Sequence, residues 1–201
     1  MDPILARVER DVDRLMAALS HLPEGMARPF LVLITGLPGT GKTCLGRELA
    51  RRLPLALLET DALRKSLFPV PMYSAEENAR LFQACHLLME ELLRKGVPVL
   101  LDGTNLVEHQ RAHVYGISDR LNVKLVIVRV TAPEREVRGR LRRRLFKCQT
   151  NGHSEADWEV YKKMQPREEA IRRNHYVVDT SKDVTSAIDK IVGEVNRWLK
   201  G

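Results

Sequence analysis

Residues 36–43 read Gly-Leu-Pro-Gly-Thr-Gly-Lys-Thr and follow an apolar run, Phe30–Thr35, that is too short for a helix. That order constrains the fold more than anything else in the chain. The segment fits G-x-x-x-x-G-K-[ST] at every fixed position, and its flanks predict a buried strand before it and a helix from about Lys42 to Arg52. Glycines let backbone N–H groups turn inward around phosphate oxygens, where a side chain would block the approach. The helix that follows aims its N-terminal dipole at the same anion. Lys42 should reach the β- and γ-phosphates, and the Thr43 hydroxyl should ligate Mg²⁺. Gly36, Leu37, Pro38, Gly39, Thr40, Gly41, Lys42, Thr43 and Cys44 are therefore the expected ATP-binding stretch.

The rest of the chain alternates strand and helix signals. Ile4, Val8, Val12, Leu15, Met16 and Leu19 recur at helical spacing behind Asp2-Pro3, which predicts an amphipathic helix over 3–20 and a short linker at 22–28. Strands are expected at Leu55–Glu59, Val97–Leu101, Val123–Val130 and His175–Val178. Ser74-Ala75-Glu76-Glu77 has capping-box spacing and opens a helix that runs through Lys95 to the stop at Gly96. Further helices are expected over about 107–121, from Pro133 to about Lys147, from Ser154–Asp157 onward, and over about 184–199. The pattern predicts an α/β P-loop NTPase fold: three layers, with a five-stranded, mostly parallel sheet covered by helices on both faces. Residues 1–28 read as the N-terminal helix and linker, and 29–201 as one domain with a basic helical lid over about 138–165.

Bulk properties narrow the setting. No stretch of the 201 residues approaches the roughly 18–20 apolar positions that span a bilayer, and no secretory h-region follows Asp2. Cys44, Cys85 and Cys148 are odd in number and scattered, which favours reduced thiols in a cytoplasmic protein over disulfides or a zinc site. A formal charge of +7 suits anionic partners. Of the histidines at 21, 86, 109, 113, 153 and 175, only His109 and His113 have metal-like spacing, and they read as helix surface; His86 reads as partly buried.

In an open parallel sheet the ligand site lies beyond the carboxyl ends of the strands. The segments after the predicted strands bring polar residues to that edge: Thr60, Asp61 and Arg64; Asp102, Thr104 and Asn105; Thr131; and Asp179, Thr180 and Ser181. Asp61 and Arg64 form D-x-x-R on one helix face. A carboxylate there can accept the proton of an attacking hydroxyl and the arginine can hold an anionic acceptor, or the pair is simply a cap and a solvated arginine. Asp102 either orients magnesium or caps a turn. Among Arg138, Arg140, Arg142, Arg143, Arg144 and Lys147, the i,i+4 pair Arg140 and Arg144 can clamp transferring phosphates, and most of the run is surface.

Taken together, Gly36–Thr43, Asp61-Ala62-Leu63-Arg64, Asp102-Gly103-Thr104-Asn105-Leu106, Pro133 with Arg140 and Arg144, and Tyr161-Lys162-Lys163-Met164 resemble a group of P-loop kinases. That group includes polynucleotide 5′-kinases and the zeta-toxin-like and chloramphenicol-type phosphotransferases. The resemblance spans about 30–181 and implies a kinase using ATP and Mg²⁺. It implies Asp61 as general base, Arg64 as acceptor contact beside Thr104 and Asn105, and Arg140 and Arg144 as lid residues over the phosphates. Gly103 is an extra residue within the D-T-N segment of polynucleotide kinases, so a nucleic acid 5′ end stands beside sugar acids, antibiotics and nucleotide sugars as acceptor. A regulatory nucleotide-binding protein is the competing class, against which D-x-x-R and the paired arginines would be surplus. No N-K-x-D motif for guanine occurs.

Overall fold

A computed structural model describes residues 3–20, 22–151 and 158–201, with side chains at 6–20, 22–143 and 158–201. Five strands form its sheet: β1 (Phe30–Thr35), β2 (Ala56–Glu59), β3 (Val99–Asp102), β4 (Lys124–Thr131) and β5 (Tyr176–Asp179). They run in the order β2-β3-β1-β4-β5, and every pairing is parallel. The register aligns the carboxyl ends, with Glu59 opposite Asp102, Asp102 opposite Ile34, and Thr131 opposite Asp179. This is the α/β P-loop NTPase-like fold that the sequence pattern predicts.

Alternation along the strands divides the core in two. Leu31, Leu33, Leu58, Leu101 and Ile127 face α4 (Ala75–Arg94), α5 (Glu108–Leu121) and Val12 and Leu15 of α1 (Pro3–Ala17). Val32, Ile34, Leu100, Val126 and Val128 face α2 (Lys42–Arg52) and α8 (Thr185–Lys200). A slip of one residue in any central strand would exchange these sets, so apolar burial on both faces pins the register. The N-terminal helix also carries Asp11, 2% exposed, which accepts two hydrogen bonds from Arg80 on α4 at 2.6 and 2.7 Å. Two-point contact of this kind fixes the helix in orientation as well as position.

Element bounds follow local chemistry. Ser74 accepts from the Glu77 amide at the start of α4, as the capping spacing predicts. Two strands begin later than their apolar runs: β2 at Ala56, whose amide bonds the Pro98 carbonyl, and β3 at Val99, since Pro98 offers no N–H to a ladder. A short helix, α3 (Thr60–Leu67), follows β2 without a turn, and α6 (Glu134–Asn151) runs beyond Lys147. The expected helix start at 154–157 and the residues His21, Cys148 and His153 lie outside the described residues or side chains. Among the described residues no helix is long and apolar enough to cross a membrane. His86, half-buried, stacks on His113 at 5.3 Å between ring centroids, and burial together with the His113 charge lowers its pKa to about 4.

A third, smaller core was not anticipated. Leu37 of the phosphate loop packs with Leu106, with Val137 and Leu141 of α6, and with Tyr161 of α7 (Trp158–Met164). Gly39 sits beneath this cluster at φ +78°, and an added Cβ would stand 2.9 Å from Leu141. Helix α6 therefore rests directly on the phosphate loop, and Gly39 is required there by space and by backbone.

Candidate active site at the carboxyl end of the sheet

The phosphate loop leaves β1 through Gly36, whose amide donates to the Thr104 carbonyl at 3.1 Å. Gly36 lies against the neighbouring strand so closely that an added Cβ would be 2.3 Å from the Val130 carbonyl oxygen. Within the loop, the Thr40 hydroxyl donates to the Leu37 carbonyl at 2.8 Å, and Lys42 Nζ donates to the same carbonyl at 2.9 Å. The lysine is thus folded back over its own loop, with its charge held at the rim.

Thr43, one residue into α2, donates its hydroxyl to Asp102 Oδ2 at 2.6 Å. Asp102 ends β3 and is 4% exposed. Burial pushes its carboxyl up, while the Lys42 charge and the Thr43 hydrogen bond pull it down and Glu59 and Asp61 push it up again. Its Oδ1 is buried with no hydrogen-bond partner. A hydroxyl and a carboxylate with a vacant oxygen beside a phosphate loop form a hard-oxygen donor set, the chemistry that suits Mg²⁺. Among the described residues no three of His, Cys, Asp and Glu gather into a metal cluster.

Asp61 and Arg64 occupy the next strand end, and the structure separates their characters. Asp61 is exposed in the first turn of α3. Arg64 is 5% exposed, and Nη2 donates to Asn78 Oδ1 at 2.6 Å. Its Nε and Nη1 are buried without a hydrogen bond, and the nearest carboxylate, Glu77, stands 3.9 Å from Nη1. Glu77 is itself engaged by the amides of Met72 and Tyr73, while the Tyr73 ring lies 4.8 Å from the guanidinium. A buried guanidinium with open N–H groups is costly unless an anion completes it.

Thr104 and Asn105 both offer backbone carbonyls to the end of β1. The Thr35 hydroxyl donates to both carbonyls, at 2.7 and 3.0 Å, which ties the segment after β3 to the end of β1. Asn105 is 1% exposed at φ +43°, Nδ2 donates to the Ile34 carbonyl, and Oδ1 is unpartnered. The residue that sequence reasoning missed here is Arg111. It is 1% exposed and donates to the carbonyls of Asn105, Leu106, Glu169 and Ala170 and to Glu108, joining the segment after β3 to the one before β5. A signal existed: Arg111 falls on the buried face of α5 with Val114, Tyr115 and Ser118.

Of the two arginines expected over the phosphates, Arg140 has a described side chain. Arg140 turns toward the phosphate loop, donating to the Thr40 carbonyl at 3.3 Å and to the hydroxyl and carbonyl of Thr180 at 2.7 and 2.9 Å. Arg144 lies on α6, and its side chain is outside those described. Cys44 is exposed as a free thiol at the start of α2.

Comparison with known proteins bears on the family and the fold. The family described as AAA domain matches residues 31–171. A UPF0200 protein of Aeropyrum pernix is 31% identical over 133 residues, covering 59% of this chain and 68% of that protein. A shikimate kinase of Thermobifida fusca is 40% identical over 95 residues, covering 45% of this chain and 55% of the enzyme, so the chain matches only about half of that relative. The crystal structure of the Mycobacterium tuberculosis APS kinase with AMPPNP and APS superposes with a TM-score of 0.61 at 17% identity. That superposition covers 87% of this chain and 99% of the APS kinase, a likeness of fold.

Proposed function

The chain belongs to the AAA domain family, and from that premise we propose that it is an ATP-dependent kinase whose hydroxyl acceptor carries an anionic group. One observation carries this reading. The carboxyl end of the sheet joins a phosphate-loop lysine to an exposed carboxylate and to an arginine whose Nε and Nη1 are buried without a hydrogen bond. Lys42 neutralises charge on the β- and γ-phosphates, for which it must leave the Leu37 carbonyl. Thr43 and Asp102 would hold Mg²⁺, which when bound would supply positive charge to the phosphates. Asp61 accepts the hydroxyl proton as the acceptor oxygen attacks, and Arg64 grips the acceptor's carboxylate or phosphate. Asn105 Oδ1 can accept from a second acceptor hydroxyl beside Thr104. Arg140 braces the loop, and Arg144 completes the lid over the phosphates.

A panel of γ-labelled ATP reactions with gluconate, shikimate, glucose and a 5′-OH oligonucleotide separates the acceptors. Label should pass to an acid in preference to the neutral sugar. Arg64→Met should raise the KM of the acid about tenfold or more while leaving the KM for ATP within about twofold, the loss of one charge-assisted contact. Equal labelling of glucose and the acids would contradict an anionic acceptor.

A polynucleotide acceptor is the second reading, favoured by the exposed Arg142 and Arg143 on the lid helix. Each phosphate contacted on a single strand contributes about −0.7 to the slope of log affinity against log salt. This reading requires labelled 5′ ends and a slope steeper than about −2, which corresponds to three contacts. No end-labelling with a flat salt response would remove it and leave the small anionic acceptor.

A further inference from the structure

Thr180, the residue after β5, meets the phosphate loop in a way no motif announces. Its hydroxyl donates to the Thr40 carbonyl at 2.5 Å and accepts from Arg140 Nη1 at 2.7 Å. Its own amide is anchored on the Thr131 carbonyl at 2.9 Å, and its carbonyl accepts from Arg140 Nη2 at 2.9 Å. The side chain also fills the space over Gly41, where an added Cβ would stand 3.1 Å from its Oγ1. Three elements of the fold therefore close on one peptide unit: the phosphate loop, the lid helix and the β5–α8 connection.

That peptide unit is the bond between Thr40 and Gly41. Every described peptide is trans, so a carbonyl and the amide after it point in opposite directions. With the Thr40 carbonyl held against Thr180 and Arg140, the Gly41 N–H must point the other way, and it is donated to no group among the described residues. Gly41 holds φ +97°, a conformation from which a glycine peptide can flip at little steric cost. Without an outside hold, nothing in Gly41 itself favours the orientation that offers its N–H to an anion. The relay from Arg140 through the Thr180 hydroxyl also places positive charge at the carbonyl end of this amide, which polarises the N–H as a stronger donor.

We propose that Thr180 is a positioning residue for the nucleotide phosphates: it pins the Thr40–Gly41 peptide with its N–H turned into the phosphate cradle and couples the charge of Arg140 to that N–H. The inference rests on the phosphate-loop part of the kinase reading, and no contact between Thr180 and the nucleotide is required. Its effect should be largest on ligands with phosphates beyond the first, because the loop's backbone N–H groups close around the phosphate chain and not around the nucleoside.

Calorimetric titration of the full chain with ATP–Mg²⁺ and with AMP tests this. Thr180→Val, which keeps the volume and removes the hydroxyl, should weaken ATP about tenfold to a hundredfold, the range of a lost charge-assisted hydrogen bond, and leave AMP within about twofold. Thr180→Ser restores the hydroxyl and should return ATP binding to within about threefold of wild type; it also serves as the informative variant if Val perturbs folding, judged by circular dichroism. Arg140→Met should weaken ATP in the same direction, and the double variant should be no weaker than the worse single one, since both substitutions break one relay. ATP affinity in Thr180→Val equal to wild type would overturn the assignment while leaving the kinase reading intact. Parallel loss of ATP and AMP would also overturn it, by making Thr180 a nucleoside contact. A wild-type chain that binds no ATP would overturn both.

Discussion

Replacing Lys42 by Ala should slow phosphoryl transfer about 10³-fold, or about 4 kcal/mol of transition-state stabilisation, while the fold persists. The magnitude follows from where the charge sits. Lys42 stands at the rim of the loop, half-buried, and reaches the Leu37 carbonyl at 2.9 Å. No other residue of the loop, 36–43, is charged, so its other contributions are backbone N–H groups and the hydroxyls of Thr40 and Thr43. Removing the ammonium leaves those dipoles to face the charge that develops on three γ-phosphate oxygens. The fold should survive because the loop is anchored elsewhere, by Gly36 on Thr104 and by Leu37 in its cluster with Leu106, Val137, Leu141 and Tyr161. Steady-state turnover, with thermal denaturation as the control, checks both halves. A folded variant with full activity would remove Lys42 from the chemistry.

Asp61→Asn should lower turnover about 10²- to 10⁴-fold, the usual contribution of a positioned general base, with ATP affinity changed less than about twofold. The substitution keeps the size and loses the proton acceptor. It should cost little stability, because Asp61 is exposed. Comparing kcat with the dissociation constant of ATP separates a base from a binder. A fall in ATP affinity that matches the fall in turnover would make Asp61 part of the nucleotide site instead.

How much of this was legible depended on distance along the chain. The phosphate loop could be read because its chemistry is local: strand, glycines, lysine, threonine and helix occupy consecutive residues. The sheet could be read because strands buried on both faces leave unbroken apolar runs, and their aligned carboxyl ends brought Asp61, Asp102, Asn105 and Thr180 to one edge. What failed to show was pairing between distant residues. The partnership of Thr43 with Asp102 spans 59 positions and that of Thr180 with Thr40 spans 140, and no spacing rule connects them. The Arg140 guanidinium is likewise drawn to Thr180 and the Thr40 carbonyl, acceptors that only the folded chain supplies. Arg64 and Arg111 illustrate the harder case. Arginine is ordinarily read as surface, so an arginine on the apolar stripe of a helix is the feature to look for, and both occupy one.

The unpartnered atoms matter most for function. Among the described buried side chains, Arg64 Nε and Nη1, Asp102 Oδ1, Asn105 Oδ1 and the Tyr115 hydroxyl lack hydrogen bonds, and all but the last, which lies on α5, belong to segments at the carboxyl end of the sheet. The buried charged groups of Asp11 and Arg111, by contrast, are satisfied. Unfilled capacity is thus concentrated beside the phosphate loop, where substrates can complete it.

The central claim is that γ-phosphate passes to an organic hydroxyl. It is tested most directly by following γ-labelled ATP with Mg²⁺ in the presence and absence of a hydroxy-acid acceptor such as gluconate or shikimate, and by identifying the labelled product. The account predicts label in an acid-stable phosphate ester of the acceptor, formed by the wild-type chain and lost in Lys42→Ala and Asp61→Asn. Label found only as inorganic phosphate, released at one rate with or without any acceptor and unchanged by Asp61→Asn, would contradict it.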